Sequence, residues 1–208
     1  MPFVIHPRIR KGLGRLAAMT ATGVLASTGV AAAASCPTLA TTTPLSQFGD
    51  TNNYFVVPGG TFEGSSLPAG WTASGASLTA GSEPFHVLNA SDNQSLTIQA
   101  GGSVTTPYAC IDATMPEMRF FAHQIGSGSD LKVDVLVKLG GWTMSVPLAD
   151  LADGSMPAWA LTDPILAPPG QSLAPGVIVQ GALRFSVTGS GNQGWQIDDI
   201  LVDPYRSA

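Results

Sequence analysis

Residues 131–139 carry the sharpest pattern in the chain. Leu131, Val133, Val135, Val137 and Leu139 alternate with Lys132, Asp134, Leu136 and Lys138. A period of two places the first set on one face of a β-strand and the charged positions on the other. The segment 118–125 precedes it and carries bulk on both faces, with Phe120 on one and Phe121 and Ile125 on the other. This predicts a central strand whose second face is covered by a loop or a ligand. The link Gly126-Ser127-Gly128-Ser129-Asp130 predicts that the two strands form an antiparallel hairpin.

Further strands are predicted at 54–57, 60–63, 85–89, 95–99, 142–147, 177–187 and 195–202, separated by glycine and proline clusters. Pro164, Pro168, Pro169 and Pro175 mark 163–176 as a long irregular connection. Residues 36–53 are rich in Thr, Ser and Pro and read as an arm ahead of a body at 54–208. No amphipathic helix, internal repeat or second domain is visible. The predicted fold is all-β, an antiparallel sandwich.

The first 35 residues change the compartment. Arg8, Arg10, Lys11 and Arg15 form a basic region, followed by a small-residue apolar stretch that ends in Ala31-Ala32-Ala33-Ala34-Ser35. This order is that of a cleaved secretory signal peptide, so residues 36–208 are expected outside the cell, secreted and free of the membrane. What remains carries five cationic side chains (Arg119, Lys132, Lys138, Arg184, Arg206) against all fourteen acids, a net charge of −9. Such a surface has no electrostatic footprint for nucleic acid or an anionic membrane.

Cys36 and Cys110 both lie in the exported part. An even count in an oxidising compartment points to a disulfide between them. The alternative is a lipoprotein with Cys36 as its modified N-terminus. Against it, Ala33-Ala34-Ser35-Cys36 lacks the large aliphatic residue such a signal uses, and Cys110 would be left as a free thiol.

Chemistry is sparse. His86 and His123 are the only histidines beyond the leader, and neither sits in an HExxH arrangement. There is no Gly-x-Ser-x-Gly elbow, P-loop or dinucleotide fingerprint. The reading is therefore non-enzymatic, with no catalytic residue assigned. Trp71 and Trp195 fall inside strand motifs and read as core. Trp142, beside Gly140-Gly141, and Trp159, after Met156-Pro157, lie near loops and are the candidate ligand-binding aromatics.

Two motifs carry a resemblance. Gly59-Gly60-Thr61-Phe62-Glu63-Gly64 with Leu67-Pro68-Ala69-Gly70-Trp71 opens the body, and Trp195-Gln196-Ile197-Asp198-Asp199-Ile200 closes it. Together they resemble the first and last strands of galactose-binding-like jelly-roll carbohydrate-binding modules. That resemblance implies a structural calcium ion held by Glu63 with Asp198 or Asp199. Calcium takes six to eight oxygens, so two carboxylates from the chain ends plus carbonyls suit it. Strand parity leaves the choice of aspartate open, because both faces of 195–202 carry apolar residues.

A second resemblance rests on Cys36-Pro37, Phe48-Gly49-Asp50, Glu83-Pro84-Phe85-His86, Met118-Arg119-Phe120-Phe121-Ala122 and Asp203-Pro204-Tyr205-Arg206. It is to a family of uncharacterised single-domain secreted bacterial proteins, and it implies no activity. The expectation is a secreted, non-catalytic protein that binds polysaccharide at or outside the cell surface. The alternatives are a structural module or one that binds a cell-surface protein and, more remotely, a hydrolase on the same scaffold.

Overall fold

The computed structural model describes residues 36–204 except 113, 114, 116, 168–172, 175 and 176; the expected signal peptide lies outside them. Among the described residues there are eleven strands: β1 (Phe55–Val56), β2 (Thr72–Ala80), β3 (Gln94–Thr105), β4 (Ala109–Ile111), β5 (Glu117–Ile125), β6 (Leu131–Leu139), β7 (Trp142–Leu151), β8 (Ala160–Leu161), β9 (Ile165–Leu166), β10 (Val179–Val187) and β11 (Gly194–Asp203). All pairings are antiparallel. Among the described residues the only helix is a 3-10 turn at Ser46–Phe48, and no helix is long and apolar enough to cross a membrane.

The strand order follows from β3, which serves two ladders. Its first half pairs with β11, from Leu96↔Ile197 to Gln99↔Gly194. Its second half pairs with β10, from Ser103↔Ser186 to Thr105↔Arg184. β2 accompanies it along both halves, with a register shift between Ser74 and Ala76. The bend requires bare backbone: a Cβ on Gly102 would meet the Gly75 carbonyl oxygen at 2.6 Å. The strands are hydrogen-bonded as one continuous sheet that curls over at β3 into two layers, the two sheets of the sandwich. One sheet thus runs β7–β6–β10 to the end of β3, with β4 beside β10. The other runs from the start of β3 through β11 and β5 to β8 and β9, with β1 beside β11.

The predicted β5–β6 hairpin is corrected by this topology. β5 pairs with β11, β8 and β9, whereas β6 pairs with β7 and β10. The glycine-rich link therefore arches from one sheet to the other. The alternation in β6 holds, with Leu131, Val133, Val135 and Val137 buried. The predicted strands at 60–63 and 85–89 are also corrected, since both segments are turns and loop.

The inner faces meet in a core of Phe120, Phe185, Trp195, Ile197, Ile98 and their neighbours. Phe120 and Phe185 join the sheets edge to face, with centroids 5.2 Å apart. The Trp195 indole N–H donates to the Ser129 carbonyl at 3.2 Å, so its polar atom is satisfied while the ring is fully buried. Trp71 is also buried and packs on Phe62, centroids 5.2 Å apart. Cys36 and Cys110 form the expected disulfide, which ties the arm to β4.

The second face of β5 is covered by loops, as its two-sided bulk predicts. Phe121 lies beneath Phe48 and Phe85, with centroids 5.7 and 5.5 Å away. Arg119 fixes the arm there. Its guanidinium donates to Asp50 at 2.8 Å and twice to the Thr162 carbonyl. Burial acts to raise the Asp50 pKa, but hydrogen bonds from Tyr54, Asn52 and Arg119, with the Arg119 charge, hold it below the ordinary value.

Candidate functional site

The opening motif folds as a turn docked against a bulge in the closing strand. Val57 N–H donates to the Ile200 carbonyl at 2.9 Å, and Ile200 N–H donates to the Gly60 carbonyl at 3.1 Å. Gly60 must be glycine at this contact, because a Cβ would sit 2.9 Å from the Val57 carbonyl oxygen. Phe62 takes a φ of 54° and drops its ring into the core. In β11 the register breaks between Asp198 and Leu201, and Asp199 adopts a φ of 45°. Non-glycine residues rarely hold that conformation, and such strain gathers at functional sites.

This geometry brings the sequence-predicted acids into one neighbourhood and gives them different work. Glu63 Oε1 accepts from the Asn93 and Gln94 amides at 2.7 and 2.8 Å, capping the start of β3. Asp198 Oδ2 accepts from Ser82 Oγ at 2.9 Å and the Glu83 amide at 3.1 Å, while Oδ1 accepts from the Asp199 amide at 2.9 Å. Asp199 is equally buried. Burial, then repulsion from Asp198, Glu83, Asp92 and Glu63, pushes its pKa to about 8. Asp198 is raised to about 7 by burial against the pull of its three hydrogen bonds.

Glu83 and Asp92 complete the cluster and were not singled out from sequence. Glu83 is fully buried and accepts from the Phe85 amide and, at 3.0 Å, the Val87 amide. Asp92 Oδ2 is buried without a hydrogen-bond partner. Burial and the Glu63 charge raise its pKa, while His86 acts the other way. No lysine or arginine is among the groups shifting Asp92, Asp198 or Asp199. An orphaned carboxylate oxygen and a buried Asp199 among like charges fit a hard divalent cation. Among the described residues, no three Asp, Glu, His or Cys side chains form a metal-holding group on their own. Carbonyl oxygens would have to supply the rest of a coordination shell.

The candidate tryptophans occupy different settings. Trp142 is 84% exposed at the β6–β7 turn, with Leu139 and Met144, 47% and 49% exposed, on the same strand faces. Trp159 is half-buried and immediately precedes β8. Since Ala160 and Leu161 pair with Ala122 and Phe121, the next step sets Trp159 beside His123, ring centroids 5.8 Å apart.

His123 begins a row across the outer face of its sheet. It pairs with Gln196, Gln196 with Thr97, and Thr97 with Ser77. His123 Nδ1 and Gln196 Oε1 are 3.2 Å apart, and Thr97 and Thr79 hydroxyls are 2.7 Å apart. Reading outward from the ring, an indole is followed by imidazole, carboxamide and hydroxyl groups on neighbouring strands, with no charged carboxylate or ammonium in the row. Only register reveals this set, because its members are spread over residues 77–196. His86 lies elsewhere, exposed, at a φ of 48°.

No protein-family model matches the chain, and neither does any curated protein. Several solved structures are similar in fold. One is a family 61 carbohydrate-binding module in complex with β-1,4-galactotriose (15% identity, TM-score 0.46, covering 72% of this chain and 96% of that one). Another is the xylan-binding domain from Paenibacillus barcinonensis (18% identity, TM-score 0.48, 71% and 93% covered). A third is the K1 cleaved adhesin domain of Lys-gingipain from Porphyromonas gingivalis (10% identity, TM-score 0.45, 74% and 98% covered).

Proposed function

We propose that this protein is a secreted, non-catalytic module that binds neutral polysaccharide. The observation that carries the reading is the row Trp159–His123–Gln196–Thr97–Ser77. The C–H face of a pyranose packs on an indole, and its hydroxyls exchange hydrogen bonds with imidazole, carboxamide and hydroxyl groups. A row without carboxylates or ammonium groups suits an uncharged sugar. The neighbouring strand spacing of about 4.8 Å sets these groups side by side, with Thr97 buried within the row and its hydroxyl held by Thr79.

The test is retention of the mature protein on a panel of immobilised neutral glycans. Trp159→Ala and His123→Ala are each expected to weaken retention at least about tenfold, roughly 1.4 kcal/mol, with the circular dichroism spectrum unchanged. Absence of retention on every glycan by the folded wild-type protein would overturn the reading.

Calcium belongs to the same proposal as a structural ion. Asp199 and the second oxygen of Glu63 are the side-chain donors offered to it, carbonyl oxygens would complete its shell, and Asp198 holds the 82–83 loop beside them. When bound, the ion would supply positive charge that keeps Asp199 ionised and ties the opening turn to the closing strand. Chelator is expected to lower the melting temperature and calcium to restore it, because a ligand bound only by the native state stabilises that state. A melting temperature indifferent to both removes the ion.

The exposed Trp142–Leu139–Met144 cluster favours a second reading, in which that turn docks on a cell-surface protein. Trp142→Ala leaves glycan retention unchanged in the first reading and removes cell-surface binding in the second.

A further inference from the structure

The space between the sheets is filled unevenly. Towards the disulfide, the inner faces separate around an open-mouthed cavity of about 270 Å³. Natural cores hold few voids larger than a water molecule, and this one approaches the size of small-molecule sites. Val135 and Leu183 wall it from one sheet and Met118 and Val202 from the other, with Tyr108 and the Cys36–Cys110 bridge at its side. The main core reaches its wall through Val57 and Met118 and thins there. Val135, Val137 and Val179 form a cluster separate from the one around Phe120 and Trp195.

A second cavity, of about 500 Å³, abuts the first and shares Cys36, Leu39, Phe55 and Met115 with it. Its character is different, with Asn52, Asn53, Asp112 and Asp203 in its lining. Glu117, on the wall of the first cavity, pairs in register with Asp203. Among the described lining residues of both cavities there is no lysine or arginine. One compartment is thus hydrocarbon, and its neighbour is polar, with carboxylates in its lining.

We propose that the paired cavities bind a cationic amphiphile, its aliphatic chain between the sheets and its ammonium head beside Glu117 and Asp203. Apolar walls take the chain because its burial is favourable and few wall atoms need hydrogen bonds. The carboxylates select the head, since an anionic head brought among them meets like charge in a poorly solvated place. This site lies between the sheets, whereas the Trp159 row lies on an outer face. The two proposals therefore fail separately.

The experiment uses N-phenyl-1-naphthylamine as a fluorescent probe of the apolar compartment at pH 7. Decyltrimethylammonium, decanol and decanoate serve as displacers below their micellar concentrations. Saturable probe fluorescence is expected, with decyltrimethylammonium displacing it at about tenfold lower concentration than decanoate, and decanol in between. The double substitution Glu117→Gln, Asp203→Asn is expected to shrink that gap to within roughly threefold. Val202→Phe and Val135→Phe fill the cavity from opposite walls, and either one, if folded by circular dichroism, is expected to abolish probe binding without changing glycan retention. No saturable fluorescence with the folded wild-type protein, undiminished binding in both filled variants, or equal displacement by decanoate would each overturn the proposal.

Discussion

The two ends of the interior are built from the same kind of strand and reach opposite results. At one end, Phe120, Phe185 and Trp195 close the gap between the sheets with large rings from both sides. At the other, β6 and β10 offer Val135 and Leu183, and β5 and β11 face them with Met118 and Val202. Aromatic rings from both sides close the gap where the sheets meet, and mainly aliphatic side chains line it where they part. The open end is held instead by a covalent bond, since both cysteines line the cavity. An interior of this kind takes its stability from one region and keeps room in the other.

Breaking the link at the open end should have the largest effect. Replacing Cys36 and Cys110 by alanine removes a closed loop with a sequence separation of 74. The expected loss is about 4.5 kcal/mol on the chain-entropy account, read as a lower denaturant midpoint. A loss under about 1 kcal/mol would mean that the arm is secured without the bond.

Truncating the packing comes next and separates the ends directly. Phe120→Ala should cost about 4 kcal/mol, because the packed end cannot collapse around the void. Val202→Ala, whose side chain already borders open space, should cost about 1 kcal/mol. Equal costs in chemical denaturation would erase the distinction.

Acidity gives the finest comparison, because each end carries its own raised carboxylate. Asp199, beside the packed end, is pushed to about 8 by burial and then by Asp198 and its other acidic neighbours. Asp203, at the open end, is pushed to about 6 by burial and then by Glu117 and Asp50. In both cases the folded state holds the proton more tightly than the unfolded chain, whose aspartates titrate near 3.9. Their contribution to stability is therefore full below about pH 4 and is lost as pH rises through each folded pKa. In calcium-free buffer, Asp203→Asn should flatten the profile of melting temperature against pH between about 4 and 6. Asp199→Asn should flatten it up to about 8, and added calcium should do the same for the wild type. A profile unchanged by either substitution would show that these groups titrate normally.

Much of this was legible from residue order. The alternation of 131–139 is strong because one face of β6 is buried and the other is wet. The two-sided bulk of 118–125 announced a covered strand, and Phe48 and Phe85 supply the cover. β2 escaped notice because Thr72–Ala80, TASGASLTA, contains a single large apolar residue and pairs with a long partner instead of packing strongly. The link 126–130 was misread because a short flexible segment joins paired strands and facing sheets equally well. Parity could not choose between Asp198 and Asp199, since the bulge after Asp198 breaks the alternation on which parity depends. The Trp159 row left no sequence signal, being made only when four strands and the residue before β8 come into register.

The forked strand β3 sets the order in which this chain can fold. Its partners in the two sheets, β11 and β10, lie far downstream in sequence, and both ladders need the same twelve-residue segment in place. Neither sheet can be completed first and then docked against the other. The nucleus must draw together residues from the first and last parts of the body, which places the chain among slow folders dominated by distant contacts. Until β10 and β11 have been synthesised, the polar β2–β3 pair has no sheet to join.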